Sequence, residues 1–156
     1  MSIEQPGGRT DLAKRLVAVP PERIFAVFDN PAALMQWLPP KGMTGHAHEY
    51  DFRQGGTYRI ELEYLDGNHG PGKTTAKSDI SKGRFVEIVP DRIIRQTVEF
   101  EGDDSIKMTM TWTFDPVPEG TSVTVTAEDV PSGISAEDHQ KGLSSSLENL
   151  AEFVGG

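Results

Sequence analysis

The sequence contains no cysteine. A disulfide framework, a thiol nucleophile and a Cys-type zinc or iron–sulfur site are therefore excluded. Positive charge is also scarce: 15 Lys plus Arg stand against 24 Asp plus Glu, a formal net charge of -9. Such a chain is poorly suited to tracking nucleic-acid phosphates or to lying on an anionic membrane. Long apolar runs are missing as well. The longest aliphatic and aromatic stretch is Ile24 to Phe28, far short of the about 20 residues that a membrane-spanning helix needs. The opening Met-Ser-Ile-Glu-Gln-Pro-Gly-Gly has neither a basic nor an apolar region of the secretory kind, so a cytoplasmic protein is expected. What remains is 156 residues, 36% of them apolar, a length that suits one domain able to bury about two thirds of its unfolded surface.

The apolar residues are placed with a clear period. Residues 1–9 and Gly155-Gly156 read as frayed ends, leaving a single domain over 10–154. Leu12, Leu16, Val17 and Val19 suggest a first strand, stopped by Pro20-Pro21. Pro21 can open a helix, because its missing N–H falls where no partner is due. Ile24, Phe25, Val27 and Phe28 form a helical stripe up to Asp29-Asn30-Pro31, and Ala32 to Leu38 forms a second short helix before Pro39-Pro40. After Gly42 the period becomes two. Successive alternating segments are separated by Gly55-Gly56, Pro90-Asp91, Gly102-Asp103-Asp104 and Pro118-Glu119-Gly120, which read as hairpin turns. The segment Asp66 to Asp79 reads as a long mobile loop and a candidate gate, with the next strand over Gly83 to Val89. From Ser135 a 3.6-residue period returns through Leu143, Leu147, Leu150, Ala151 and Val154. The order predicts an α+β fold: six to seven antiparallel strands curved around one long C-terminal helix, with two short helices after the first strand.

Strict alternation predicts the inward face of that sheet. It holds His46, His48, Tyr50 and Phe52, then Tyr58, Ile60, Leu62 and Tyr64. Ile94, Gln96, Val98, Met108, Met110, Trp112, Phe114, Val123 and Val125 continue it, and Leu143, Leu147 and Leu150 meet them from the helix. His46 and His48 stand out, since residues two apart on a strand share a face and present two imidazoles to one place. No third ligand has metal-binding spacing with them, so no metal or cofactor is expected. Asp51 and Arg53 read as a surface ion pair bracing a hairpin. Glu87 fits neither face by pattern. No Ser-His-Asp order, no paired acids and no nucleotide-cradling loop is present.

The same words in the same order resemble the START-like (SRPBCC) helix-grip superfamily, and more narrowly the activator of heat-shock-protein ATPase homologue-like family. The resemblance is carried by Val19-Pro20-Pro21-Glu22-Arg23-Ile24-Phe25, by Asp29-Asn30-Pro31 and by Gln36 to Met43. It continues in Asp51-Phe52-Arg53-Gln54-Gly55-Gly56, Gly83 to Arg92, Thr121 to Thr126 and Leu147 to Phe153. Trp37-Leu38 stands where the family often has two tryptophans, and Gly142-Leu143 where it often has Gly-Trp. The resemblance implies a helix-grip fold with an elongated cavity for a small hydrophobic or amphipathic molecule. On that basis the candidate ligand-binding residues are His46, His48, Tyr50, Tyr58, Ile60, Leu62, Tyr64, Gln96, Met110, Trp112, Leu143 and Leu147. An apolar wall with a few polar groups is the usual make-up of a small-molecule pocket. Two other roles stay open: an enzyme of the polyketide cyclase type using His46, His48 or Tyr58, and a chaperone-interaction protein. Binding is the favoured reading, and exposed sheet edges would also allow a homodimer.

Overall fold

A computed structural model describes residues 9–39, 42–64, 78–131 and 133–155. Strand β1 (Arg9–Val17) leads to helix α1 (Pro21–Asp29) and helix α2 (Pro31–Trp37). Each helix begins on a proline, which loses nothing by lacking an N–H in the first turn. Asn30 caps the second by accepting from the Ala32 and Ala33 amides at 2.9 and 3.3 Å. Ile24 and Phe28 on α1, with Leu34 and Trp37 on α2, are buried. The two short helices are thus held by their apolar stripes, since neither is long enough to be stable alone.

Six strands follow: β2 (Met43–Tyr50), β3 (Thr57–Tyr64), β4 (Ser78–Val89), β5 (Ile93–Phe100), β6 (Asp103–Val117) and β7 (Gly120–Val130). They join β1 in a seven-stranded antiparallel sheet of order β1-β7-β6-β5-β4-β3-β2. From β3 onward each strand pairs with its predecessor, while β1 lies against β7, so that β1 and β2 form the two edges. Strand β4 begins at Ser78, five positions before the segment that alternation marks, because Ser78 to Lys82 pair with β3 although they carry only one apolar side chain. The candidate gate from Asp66 onward falls largely on residues 65–77, outside the described residues.

Helix α3 (Ala136–Val154) closes the fold. Ser135 accepts from the Asp138 amide, Glu137 and Asp138 sit in the positive first turn, and Gly155 ends the helix at φ 81. Leu143, Leu147, Leu150, Ala151 and Val154 form its buried stripe and pack into one core with the sheet's inner face. Arg23 donates to the Val154 carbonyl at 3.0 Å and Asn149 to the Pro39 carbonyl at 3.2 Å, tying α1 and the end of α2 to α3. The seven-stranded sheet gripping this helix is the α+β arrangement that the sequence predicts. The centre of the core is aromatic: Phe28 meets Trp37 and Trp112 edge-on with centroids 5.0 Å apart, and Phe114 at 5.5 Å. No described helix is long and apolar enough to cross a membrane.

One irregularity overturns an expectation. Ala47 pairs with Ile60 and Glu49 with Arg59, so His48 is an extra residue, a bulge in β2. The bulge breaks the period of two. Ala47 and Tyr50 pack against the core, while His46 and His48 both point outward. A second bulge at Val86 places Glu87 on the outer face, where Arg95 donates to it at 2.5 Å. Asp51 and Arg53 do form the surface pair, at 2.8 Å.

Candidate functional site

The inner face of the sheet and α3 do not fill all the space between them. A cavity of about 370 Å³ lies between β3 to β6, the α1–α2 corner and the first half of α3. Its origin is visible in α3. Leu143 reaches the wall, but Gly142 and Ser146 stand beside it where larger side chains would fill the gap. The sheet contributes Tyr58, Ile60 and Leu62 from β3, Ser81 and Phe85 from β4, Gln96, Val98 and Phe100 from β5, and Met110 and Trp112 from β6. Phe28, Leu34 and Leu38 cover it from the helical corner, and Tyr50 adds one side.

The polar groups in this wall differ in how far they are already committed. The Tyr50 hydroxyl donates to the Phe28 carbonyl at 2.5 Å, and the Tyr58 hydroxyl to the Thr97 carbonyl at 2.6 Å. Burial pushes both phenols well above their ordinary range, with Asp29 adding to the effect at Tyr50 and the Gln96 side chain opposing it at Tyr58. Both therefore stay neutral and spend their proton on backbone. His139, in the first turns of α3, also lines the cavity. Its Nδ1 lies 2.7 Å from Asp11 Oδ2. Asp11 accepts in turn from Arg9 Nε at 2.9 Å and Arg9 Nη2 at 3.0 Å, and Arg9 also donates to the Ile134 carbonyl. The Arg9 guanidinium, and after it His139, hold the Asp11 carboxyl below its usual value against the opposing effect of burial.

Of the candidate ligand-binding residues, the structure places Tyr50, Tyr58, Ile60, Leu62, Gln96, Met110, Trp112 and Leu143 in the cavity wall. Leu147 is buried in the core beside it and does not line it. The Tyr64 side chain lies outside the described residues. His46 and His48 are corrected: the bulge turns them to solvent, where His46 Nε2 faces Glu63 at 3.3 Å and His48 Nε2 faces Glu61 at 2.7 Å. Among the described residues no group of three or more side chains is arranged to hold a metal ion. A larger depression on the outer face, between Glu49, Arg59, Lys82, Arg84 and Glu99, is solvated sheet surface carrying charges of both signs.

Pattern reading did not select His139, Ser81, Phe100 and Ser146. A signal for His139 was present, since it stands one helical turn before Leu143 on the stripe that continues to Leu147 and Leu150. Replacing His46 and His48 together by alanine is expected to change stability by less than about 1 kcal/mol, because both pairs are exposed. A larger loss in urea unfolding would mean that the bulge depends on them.

A single curved sheet, a gripped C-terminal helix and a void between them define a helix-grip protein. More narrowly, the chain belongs to the family described as activator of Hsp90 ATPase homolog 1-like protein, whose model matches residues 18–155. Solved structures agree. A Chromobacterium violaceum protein is 31% identical, with a TM-score of 0.83 over 94% of this chain and 98% of its own. The AHSA1 protein of Silicibacter pomeroyi is 22% identical, with a TM-score of 0.77 over 92% of this chain and 96% of its own. An AHSA1-like protein of Aeromonas hydrophila shares the fold at 15% identity and a TM-score of 0.73, covering 94% and 92%. Comparison with curated proteins finds no match.

Proposed function

We propose that this protein binds a small amphipathic molecule in the cavity between the sheet and α3. The observation that carries the reading is the wall itself. Aromatic and aliphatic side chains surround a space of about 370 Å³ into which a few polar groups converge, the composition of a ligand site. The enzyme reading loses its expected residues, since His46 and His48 face solvent and the Tyr58 proton is given to Thr97. Activation of a chaperone ATPase, which the family's description names, ranks second for this chain, because it would leave the cavity without a use.

A thermal-shift series with small bicyclic and alkyl amphiphiles tests the proposal. A probe at about 100 times its dissociation constant adds about 2.7 kcal/mol. For a domain of this size that corresponds to a rise in Tm of about 5–10 °C. If no probe raises Tm while control titrations show it to be in solution, the binding reading fails.

A further inference from the structure

Asp11 and His139 are 128 positions apart in the chain and meet at the side of the cavity. Asp11 sits on the inward face of β1 and its side chain is only 8% exposed, with His139 at 17%. A carboxylate placed there needs strong partners. It has them in the forked contact from Arg9 and in His139.

The consequence concerns the other nitrogen of the ring. Asp11, held ionised by Arg9, can only accept hydrogen bonds. The 2.7 Å contact to Nδ1 therefore places a proton on Nδ1. In a neutral imidazole this leaves Nε2 bare, an acceptor without a proton. Among the described residues no hydrogen bond reaches Nε2, so its partner must come from elsewhere. The other polar groups of the wall do not duplicate it. The serine hydroxyls and the Gln96 amide can donate as well as accept, and the two tyrosine oxygens, whose protons go to backbone carbonyls, keep acceptor lone pairs that are weaker than an imidazole nitrogen.

We propose that His139 Nε2 is the recognition point for a neutral ligand that carries a hydroxyl donor on an apolar ring system, a phenol-type amphiphile, with Asp11 as the positioning residue that fixes the acceptor tautomer. The proposal rests on the cavity-binding reading and names its ligand class. Phe28, Tyr50, Phe85 and Trp112 supply flat aromatic surfaces for the ring. At about 370 Å³ the space lies at the small end of the range for small-molecule pockets and has room for a two-ring molecule such as a naphthol. An anionic carboxylate has no proton to give to Nε2.

The test compares 2-naphthol, 2-methoxynaphthalene and 2-naphthoate as ligands of the intact protein, at about pH 8, below the ordinary phenol range, so that 2-naphthol keeps its proton. The methoxy compound keeps the ring and the oxygen but not the donor. One good hydrogen bond predicts that 2-naphthol binds about tenfold more tightly than 2-methoxynaphthalene. In the His139→Leu protein the difference should vanish while 2-methoxynaphthalene still binds. In Asp11→Asn it should shrink, because the amide can donate to Nδ1 and shift the ring proton to Nε2. Equal affinities for the two compounds in the unmodified protein overturn the proposal and leave the cavity reading intact. A preference for 2-naphthoate also overturns it. If none of the three binds, the cavity reading falls, and this one with it. The decisive comparison uses the unmodified protein and needs no variant to fold.

Discussion

The Gly83→Val variant is expected to lose most of the domain's folding stability. Gly83 lies in β4 opposite Tyr58 of β3, and the Tyr58 hydroxyl reaches across β4 to the Thr97 carbonyl of β5. A Cβ at position 83 would sit 1.9 Å from that carbonyl oxygen and 2.7 Å from its carbon. Neither atom belongs to a side chain that could swing away. The sheet would have to part between β4 and β5, breaking the Tyr58 hydrogen bond and the contact between the Arg84 amide and Thr97 Oγ1. A loss of more than about 3 kcal/mol follows, from a total that for ordinary domains is about 5–15. Urea denaturation of the purified variant is the check. A loss below about 1 kcal/mol would mean that β4 and β5 are not locked together at this point.

The second large effect is expected at Trp112. Its side chain is 3% exposed, and it packs edge-on against Phe28 at 5.0 Å and Trp37 at 5.9 Å. It is also part of the cavity wall. Trp112→Ala removes one of the two largest side chains in the core and should cost about 3–5 kcal/mol, a fall in Tm of about 6–20 °C for a domain of this size. Because the new void opens into an existing one, the variant should also gain affinity for ligands larger than a naphthol. Calorimetric unfolding with and without a tricyclic probe reads both consequences together. A destabilised variant that prefers the same ligand size as before would separate Trp112 from the cavity.

Much of the fold was legible because punctuation and period agree. Pro21 and Pro31 mark both short helices, and the hairpin turns delimit the strands. The leucine spacing from Leu143 to Leu150 gives the phase of α3. The alternation through Tyr58, Ile60 and Leu62, and through Met110 and Trp112, identified the inner face because those stretches of strand have no bulge. It failed at His46 and His48 for a physical reason. A bulge adds one residue without changing the run of letters, so His46-Ala47-His48-Glu49-Tyr50 reads as regular while its pairing slips. The Asp11–His139 contact was out of reach of any local rule, since it depends on β1 pairing with the last strand and on where α3 then begins. Ser81 escaped because Ser78 to Lys82 owe their strand to pairing with β3 and not to their own pattern.

The pairing of β1 with β7 has a consequence in time. The first strand has no partner in the sheet until Thr121 to Val130 are available to it. Loop-closure entropy makes such a distant match late and slow compared with the hairpins between. During synthesis β1, with Leu12 and Leu16, must wait while nearly the whole sheet forms without it. The Asp11–His139 contact can be made only after that closure. A refolding experiment that follows the aromatic core and ligand capture separately should therefore find the core first and binding competence last.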